Sequence, residues 1–295
     1  MKPKTINLIQ LNTAVLLWGG TAMFGKGISL PALHITCFRS FIAAGALAVF
    51  LLIMRQPVRI RSVRHYGVMA ALGFCLCMHW ALYFMALKIS TAAVAILAIH
   101  TYPVITALIE PFLFREKLKG LDVLLAVLVF SGVAIMTPSP DPSNATTRGI
   151  LLGIASGLFF MVRNLLTRKY VQQYSSSMLM FWQVLVTGVL LLPVVLVDRE
   201  TGYVPRDVGL LFLLGIVFTA LPHTLFSASF RHLSAKTVGV LATLLPLYAG
   251  ILGYFIHGET VTWRTLIGGA VILGGIVFET LRHVGREGAS QLDET

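Results

Sequence analysis

Polar and aromatic side chains interrupt several long apolar stretches of this 295-residue chain. A charged side chain at the centre of a lipid-spanning helix costs roughly 2.5–3.5 kcal/mol, so such a residue is expected to face a cavity or a partner. Arginine can bind a carboxylate through paired hydrogen bonds, and histidine can exchange a proton near neutral pH. Tryptophan and tyrosine can contact an apolar group or a cation. The candidate substrate-binding residues are His79, Trp80, Tyr83, His100, Tyr102, Arg39, Trp182, Arg163 and His223.

The two candidate arginines differ in their distance from the ends of their apolar stretches. Arg39 lies about 12 Å of helix from the nearer end, at 1.5 Å per residue, which makes it the better candidate for an anionic substrate group. Arg163 lies closer to an end, where a long side chain can extend to the membrane surface. Trp18 and Tyr254 are interpreted as packing residues or interfacial anchors, because these residue types are enriched at membrane surfaces.

Composition indicates that lipid is the solvent for most of the chain. Hydrophobic residues make up 57% and charged residues only 12%, whereas soluble proteins contain about 25% charged residues. The net charge is +11, but the basic residues occupy short loops between apolar stretches, as membrane insertion produces. We therefore expect a lipid bilayer and a small-molecule substrate as partners, and no nucleic acid.

Ten apolar segments are long enough to be interpreted as membrane spans, since about 20 apolar residues cross a bilayer. A polar, proline-rich linker, 138–148, separates the first five segments from the second five. The polar tail, 283–295, is predicted to be disordered. The predicted spans are 6–27, 31–54, 66–88, 92–114, 121–137, 149–167, 177–197, 208–233, 237–257 and 262–281.

One constant offset relates the two halves of the chain. Pro103 and Pro246 are 143 residues apart, and so are Glu116 and Glu259. A single offset over most of each half is hard to obtain by chance, so the chain is predicted to contain two copies of one five-helix unit. Because five is odd, the second copy must be inverted in the membrane. Further pairs at this offset are Trp80 and His223, Arg39 and Trp182, and Gly132 and Gly275.

The distribution of basic residues predicts that both termini are cytoplasmic. The loop 55–65 contains four arginines, whereas its counterpart 198–207 contains two arginines and three acidic residues. An excess of lysine and arginine marks the cytoplasmic side of a membrane protein. The loop 55–65 is therefore placed inside and the loop 198–207 outside.

The two Pro-to-Glu blocks, 103–116 and 246–259, resemble those of the drug/metabolite transporter superfamily, specifically its bacterial ten-helix exporters with two EamA domains. Each block follows a short linker, 86–92 or 229–235, and precedes a glycine-rich last helix. The resemblance implies an all-α integral membrane protein of the bacterial cytoplasmic (inner) membrane. It implies ten transmembrane helices in two inverted five-helix repeats, 1–137 and 149–282, around a central cavity. It also implies transport of small metabolites by alternating access.

The repeated proline and glutamate residues are candidates for hinges or gates. Pro103 and Pro246 each remove a backbone hydrogen bond and are expected to kink their helices. Glu116 and Glu259 lie at helix junctions beside basic residues, Arg264 in the case of Glu259, and are interpreted as caps or ion pairs. Their symmetric placement favours a mechanical role.

The leading functional hypothesis is a secondary transporter that exports small polar metabolites, with amino acids or amino-acid derivatives favoured. Histidines allow a proton as the coupling ion, but no acidic residue lies clearly at mid-span, so passive facilitation is an equal alternative. A second hypothesis is a carrier for a cation, a drug or an amino-acid-derived metallophore. A third is an integral membrane enzyme, which would need a clustered catalytic set. The eight histidines are scattered, and we expect no catalytic residues, no metal site and no cofactor.

Overall fold

The computed structural model describes residues 3–114, 118, 120–198, 201–229, 242 and 244–292, and every regular element within these residues is helical. The helices of the first half are α1 (Pro3–Gly27), α2 (Ala32–Ile53), α3 (Val63–Ile89), α4 (Ala92–Ile99), α5 (Tyr102–Phe114) and α6 (Gly120–Met136). Those of the second half are α7 (Ala145–Tyr170), α8 (Ser176–Val197), α9 (Pro205–Gly215), α10 (Leu221–Ser229), α11 (Leu245–His257) and α12 (Trp263–Leu292). A π-helical turn, Ile216–Ala220, joins α9 to α10.

The lengths and compositions of the helices confirm the predicted all-α membrane architecture. Within the described residues, seven helical stretches are long and apolar enough to cross a bilayer. Three shorter apolar helices, α6, α11 and the first part of α12, complete the set of ten. Two of the seven stretches combine consecutive helices, α4 with α5 and α9 with α10. The fold is therefore two inverted five-helix repeats.

The helix boundaries themselves repeat between the two halves. Helices α2 and α8 both contain 22 residues. Helices α5 and α11 both contain 13 residues, and their first residues, Tyr102 and Leu245, are related by the same offset as the paired prolines. Helices α1 and α7 contain 25 and 26 residues. The duplication seen in the sequence is thus a duplication of structure.

The first helix of each repeat packs against the opposite repeat. Helix α1 lies against α10 and α11 of the second repeat, and its counterpart α7 lies against α3 and α4 of the first. Equivalent helices also meet, because α2 packs against α8 and α6 against α12. A pseudo-two-fold axis between inverted repeats produces this reciprocal packing of equivalent helices. This packing brings residues of both repeats to the centre of the molecule.

Two glycines allow α7 to approach α4 closely. A Cβ atom added at Gly153 would lie 2.6 Å from the Cβ of Ala98, and one added at Gly157 would lie 2.7 Å from the carbonyl oxygen of Ile99. Glycine at helix contacts in membranes permits such backbone approach. The contact fixes the end of α4, which borders the centre of the molecule.

The fourth span is broken rather than kinked, which corrects one sequence expectation. Helix α4 ends at Ile99 and α5 begins at Tyr102, so Pro103 is the second residue of a new helix. Pro246 likewise is the second residue of α11. Proline has no N–H to continue the ladder but is well tolerated in a first helical turn. The prolines therefore begin helices instead of bending them.

The segments flanking the second repeat are more helical than the sequence predicts. Helix α12 continues to Leu292, whereas residues 283–295 were expected to be disordered. This segment contains no proline and several good helix formers, so the helix can extend beyond the membrane. The last residues of the linker 138–148 belong to α7, because Asn144 caps that helix by accepting hydrogen bonds from the N–H groups of Thr146 and Thr147, at 3.0 and 3.2 Å.

Candidate functional site

A cavity with a volume of about 630 Å³, including its mouth, lies between the two repeats. Its walls come from the first repeat through α1 to α5 and from the second through α7, α10, α11 and Ala242. Seven of the nine candidate residues line it. The lining residues are Trp18, Thr21, Arg39, His79, Trp80, Tyr83, Ile96, Ile99, His100, Tyr102, Phe160, His223, Phe226, Ala242 and Leu245.

Among the described residues that line the cavity, Arg39 is the one arginine or lysine, and it is fully buried. Its Nε donates to the hydroxyl oxygen of Thr219 at 3.0 Å. Its guanidinium carbon lies 4.2 Å from the centroid of the Trp80 ring and 5.0 Å from that of Phe84. The two terminal nitrogens, Nη1 and Nη2, have no hydrogen-bond partner within the described residues. Arg39 is thus held through its Nε atom, while Nη1 and Nη2 have no partner among the described residues.

Thr219 holds Arg39 in place from the π-helical turn of the eighth span. The Thr219 hydroxyl donates to the carbonyl oxygen of Leu214 at 2.6 Å and accepts from Arg39. A π-helical turn contains one extra residue and is common at functional sites. Sequence reasoning did not select Thr219, although a hydroxyl residue in the middle of the predicted span 208–233 was a usable signal.

His79 is fixed by a two-way contact with α7. The hydroxyl of Ser156 donates to the carbonyl oxygen of His79 at 2.8 Å, and the Nδ1 of His79 lies 2.7 Å from the same hydroxyl oxygen. Because that hydroxyl proton is already used, Nδ1 must be the donor, and Nε2 is the acceptor in the neutral ring. The ring of Phe160 stacks on His79 with a centroid separation of 4.6 Å.

His100 links the broken fourth span to the second repeat. Its Nδ1 lies 2.8 Å from the carbonyl oxygen of Ile96, and its Nε2 lies 3.1 Å from the carbonyl oxygen of Ala242. Carbonyl oxygens only accept hydrogen bonds, so a neutral imidazole can donate to one of them and a protonated imidazole to both. His100 is therefore a contact between the repeats as well as a cavity residue.

A repeat-related pair meets at the centre of the cavity. The rings of Trp80 and His223, which occupy equivalent positions, have centroids 5.2 Å apart. Residues related by a two-fold axis can touch only near that axis, so the axis passes close to this contact. Trp18 lies 4.7 Å from His223; it packs in a buried cluster, as its interpretation as a packing residue predicts, and it also lines the cavity. Neither the Nε1 of Trp18 nor the Nδ1 of His223 has a partner among the described residues.

Two candidate residues lie away from the cavity lining. The Nε1 of Trp182 donates to the carbonyl oxygen of Val58 at 3.1 Å. Arg163 is fully buried and its Nε donates to the side-chain oxygen of Gln183 at 2.7 Å. Arg163 therefore does not extend to the membrane surface, and its hydrogen bonds to protein groups explain why it can be buried. The equivalence of Arg39 and Trp182 does not extend to their surroundings.

Glu259 connects the two repeats at the end of the molecule where α1 and α3 terminate. Its Oε2 accepts from the backbone N–H of Ala92 at 2.9 Å, and its Oε1 forms an ion pair with Lys26. Lys26 also donates to the carbonyl oxygen of Ser90 at 2.9 Å. Ala92 is the first residue of α4, where the helix dipole favours a negative charge. We call this group, Lys26, Ser90, Ala92 and Glu259, the inter-repeat clasp.

The expected neighbour of Glu259 has a different role. Arg264 donates to the carbonyl oxygens of Thr137 and Pro138, at 3.3 and 3.2 Å. It therefore holds the start of the linker between the repeats. Glu116, the counterpart of Glu259, lies outside the described residues.

Comparisons with known proteins agree with this architecture. The sequence model of the EamA-like transporter family matches residues 6–137 and 147–281. An uncharacterized transporter of Archaeoglobus fulgidus is 30% identical over 90% of this chain and 92% of its own length. The uncharacterized transporter YxxF of Bacillus subtilis is 24% identical over 97% of this chain and 93% of its own length.

The fold is also present in a solved crystal structure. That structure superimposes with a TM-score of 0.67 at 19% identity, over 93% of this chain and 97% of its own. Two family matches, one for each repeat, thus coincide with a duplicated helical fold and a cavity between the copies. The protein is a multi-pass membrane protein and belongs to the EamA-like transporter family.

Proposed function

We propose that the protein exports small polar metabolites, with amino acids or amino-acid derivatives favoured, across the bacterial cytoplasmic membrane by alternating access. The observation that carries the proposal is the cavity itself, whose walls come from both repeats and contain a buried arginine and three histidines. Substrate sites of inverted-repeat transporters lie at the repeat interface near the bilayer midplane. Buried ionisable residues in a membrane are costly, which favours a role in transport.

The lining residues divide into an anion-binding group and an aromatic wall. Arg39 supplies a fixed positive charge with two unpartnered nitrogens, which suits a carboxylate. Trp80 and Tyr83 supply rings against which a substrate side chain can pack. The positive charge of Arg39 argues against the alternative of a simple cation as cargo, because two like charges would share a cavity of low polarity.

The inter-repeat clasp is proposed as the gate at one end of the cavity. Glu259 belongs to the second repeat, while Lys26 and Ala92 belong to the first. Separation of the repeats at this end would break both contacts. With both termini proposed to be cytoplasmic, as the loop charges favour, this end faces outward. The structure then corresponds to a state closed on the outside.

The break before Pro103 and the start of α11 at Pro246 are proposed as the hinges. The first break separates two short helices, α4 and α5, so the backbone can rotate there without disrupting a continuous helical ladder. Ile99, His100 and Tyr102 at the first hinge line the cavity, as do Ala242 and Leu245 at the second. Binding of a substrate would therefore act directly on both hinges.

Flux into proteoliposomes tests the proposed function. Purified protein would be reconstituted and supplied with radiolabelled amino acids and their N-acetyl derivatives, with and without a pH gradient, against protein-free liposomes. Saturable flux of at least one member is the expected result. No flux of any member would remove the amino-acid proposal, and equal flux with and without the gradient would remove a proton as coupling ion in favour of facilitation.

A further inference from the structure

We propose that the preferred cargo is an organic acid with one carboxylate and no free ammonium group, of the class of N-acylated amino acids. This inference rests on the proposed function, because it takes the cavity between the repeats as the substrate site. The proposed function does not distinguish amino acids from their N-acylated derivatives, and this inference selects the N-acylated derivatives as the preferred cargo. Three features of the cavity carry it: the two terminal nitrogens of Arg39, the charge balance of the lining, and a second unpartnered donor.

The geometry of Arg39 selects a carboxylate. Its Nε is bound to Thr219 and its guanidinium carbon lies over the Trp80 ring. The face and the inner nitrogen are therefore occupied, while Nη1 and Nη2 are buried without a partner among the described residues. A carboxylate presents two oxygens at the spacing of these two nitrogens, so one planar group can satisfy both.

The charge balance of the cavity disfavours a zwitterion. None of the acidic residues whose side chains the structure describes lines the cavity. Among the side chains that the structure describes, the positive charge of Arg39 therefore has no counter-charge in the lining, and Coulomb interactions are strong where the surroundings are poorly polar. A monoanion neutralises the site. A zwitterionic amino acid would bring its ammonium group into the same cavity and leave the net positive charge in place. The described acidic residues are Asp122, Asp141, Asp198, Asp207 and Glu259.

The indole of Trp18 provides a second recognition element. Its Nε1 is buried and has no acceptor among the described residues, and an indole N–H can only donate a hydrogen bond. An acyl carbonyl oxygen is a suitable acceptor, whereas an ammonium group offers only further donors. Phe160 and Phe226 contact Trp18 and also line the cavity, so an apolar acyl or aromatic group can pack beside Trp18.

Equilibrium binding of four matched compounds tests this inference on the purified full-length protein in detergent. Phenylalanine, N-acetylphenylalanine, phenylalanine amide and N-acetylphenylalanine amide share one ring and differ in charge. They are a zwitterion, an anion, a cation and a neutral compound. N-acetylphenylalanine is expected to bind at least about tenfold more tightly than phenylalanine, and each amide should bind more weakly than its acid.

Substitutions assign the preference to Arg39. In Arg39→Gln the affinities for N-acetylphenylalanine and its amide should become equal, and Arg39→Lys should keep the preference for the acid at lower affinity. Arg264→Gln removes the same charge at a surface site that contacts Thr137 and Pro138, so its binding should match the wild type. If Arg39→Gln does not fold, the four wild-type affinities still decide the question.

The outcomes separate this inference from the proposed function. Phenylalanine that binds as tightly as N-acetylphenylalanine, or more tightly, would overturn the inference while leaving amino-acid transport intact. Lack of measurable binding by all four compounds would also overturn it, and the proteoliposome panel would then judge the proposed function separately. Equal affinity of Arg39→Gln and wild type for N-acetylphenylalanine would refute the role of Arg39.

Discussion

At the scale of single residues, the cavity depends on how one arginine is held. Thr219 and the ring of Trp80 support Arg39, and its Nη1 and Nη2 atoms have no hydrogen-bond partner in the part of the chain that the structure describes. Thr219 occupies a π-helical turn, which directs its hydroxyl to Leu214 and Arg39. Arg39 is therefore positioned by both repeats, by Trp80 of the first and Thr219 of the second.

Substitution of Thr219 tests this positioning. Thr219→Val keeps the shape of the side chain but removes the acceptor of Arg39 Nε, and a hydrogen bond to a charged group contributes about 1.5–3 kcal/mol. We expect proteoliposome flux of the best substrate to fall about tenfold, mainly through a higher KM. Thr219→Ser keeps the hydroxyl and should retain flux. Equal flux of the valine and serine variants would show that Thr219 does not position Arg39.

The arginine and the histidines of the cavity lining were predictable because polarity inside an apolar span is costly and visible in sequence. His79, His100 and Arg39 stand out in this way, and all three line the cavity. Trp18 was not predictable, because a tryptophan at a membrane surface and one in a cavity have the same sequence signal. The separation of Arg163 from the cavity was equally hidden, since its partner Gln183 becomes visible only when α7 and α8 are packed together.

At the scale of helices, the two repeats differ from simple bundles by their interrupted spans. The fourth span breaks between Ile99 and Tyr102, and the eighth contains the π-helical turn. The sequence indicated a special conformation at Pro103 and Pro246 but predicted a kink. The sequence cannot distinguish a kink from a break, because the break is accompanied by tertiary contacts. The imidazole of His100 contacts the carbonyl oxygen of Ile96 in its own span and that of Ala242 in the second repeat.

Replacement of the two prolines tests the hinges. An alanine at either position supplies an N–H that can extend the helical ladder across the break, which should stiffen it. Pro103→Ala and Pro246→Ala are therefore expected to lower proteoliposome flux several-fold while the protein remains folded by size-exclusion chromatography. Pro193→Ala is the matched control, because Pro193 lies inside the continuous helix α8 and away from the cavity. A loss of flux as large in the control would contradict a specific hinge role.

At the scale of the whole molecule, duplication explains why the cavity lies between the two repeats. Apart from the end of α12, the helix boundaries of the two repeats agree to within a few residues after the common offset is applied, and the equivalent residues Trp80 and His223 meet in the cavity lining. The duplication, the number of spans and their inversion were all predictable from sequence. The contacts that join the repeats at one end were not, because Glu259 pairs with Lys26 and Ala92 across a sequence separation that no local pattern reports.

The inter-repeat clasp gives the most direct test of alternating movement between the repeats. Lys26→Cys and Glu259→Cys would be introduced together after replacement of the native Cys37, Cys75 and Cys77, which are free thiols in the structure. A cleavable bis-thiosulfonate crosslinker would then join the two repeats at this end in proteoliposomes. Each single-cysteine variant controls for modification without crosslinking. We predict that crosslinking abolishes substrate flux and that reduction restores it, whereas undiminished flux through fully crosslinked protein would contradict transport by movement of the repeats.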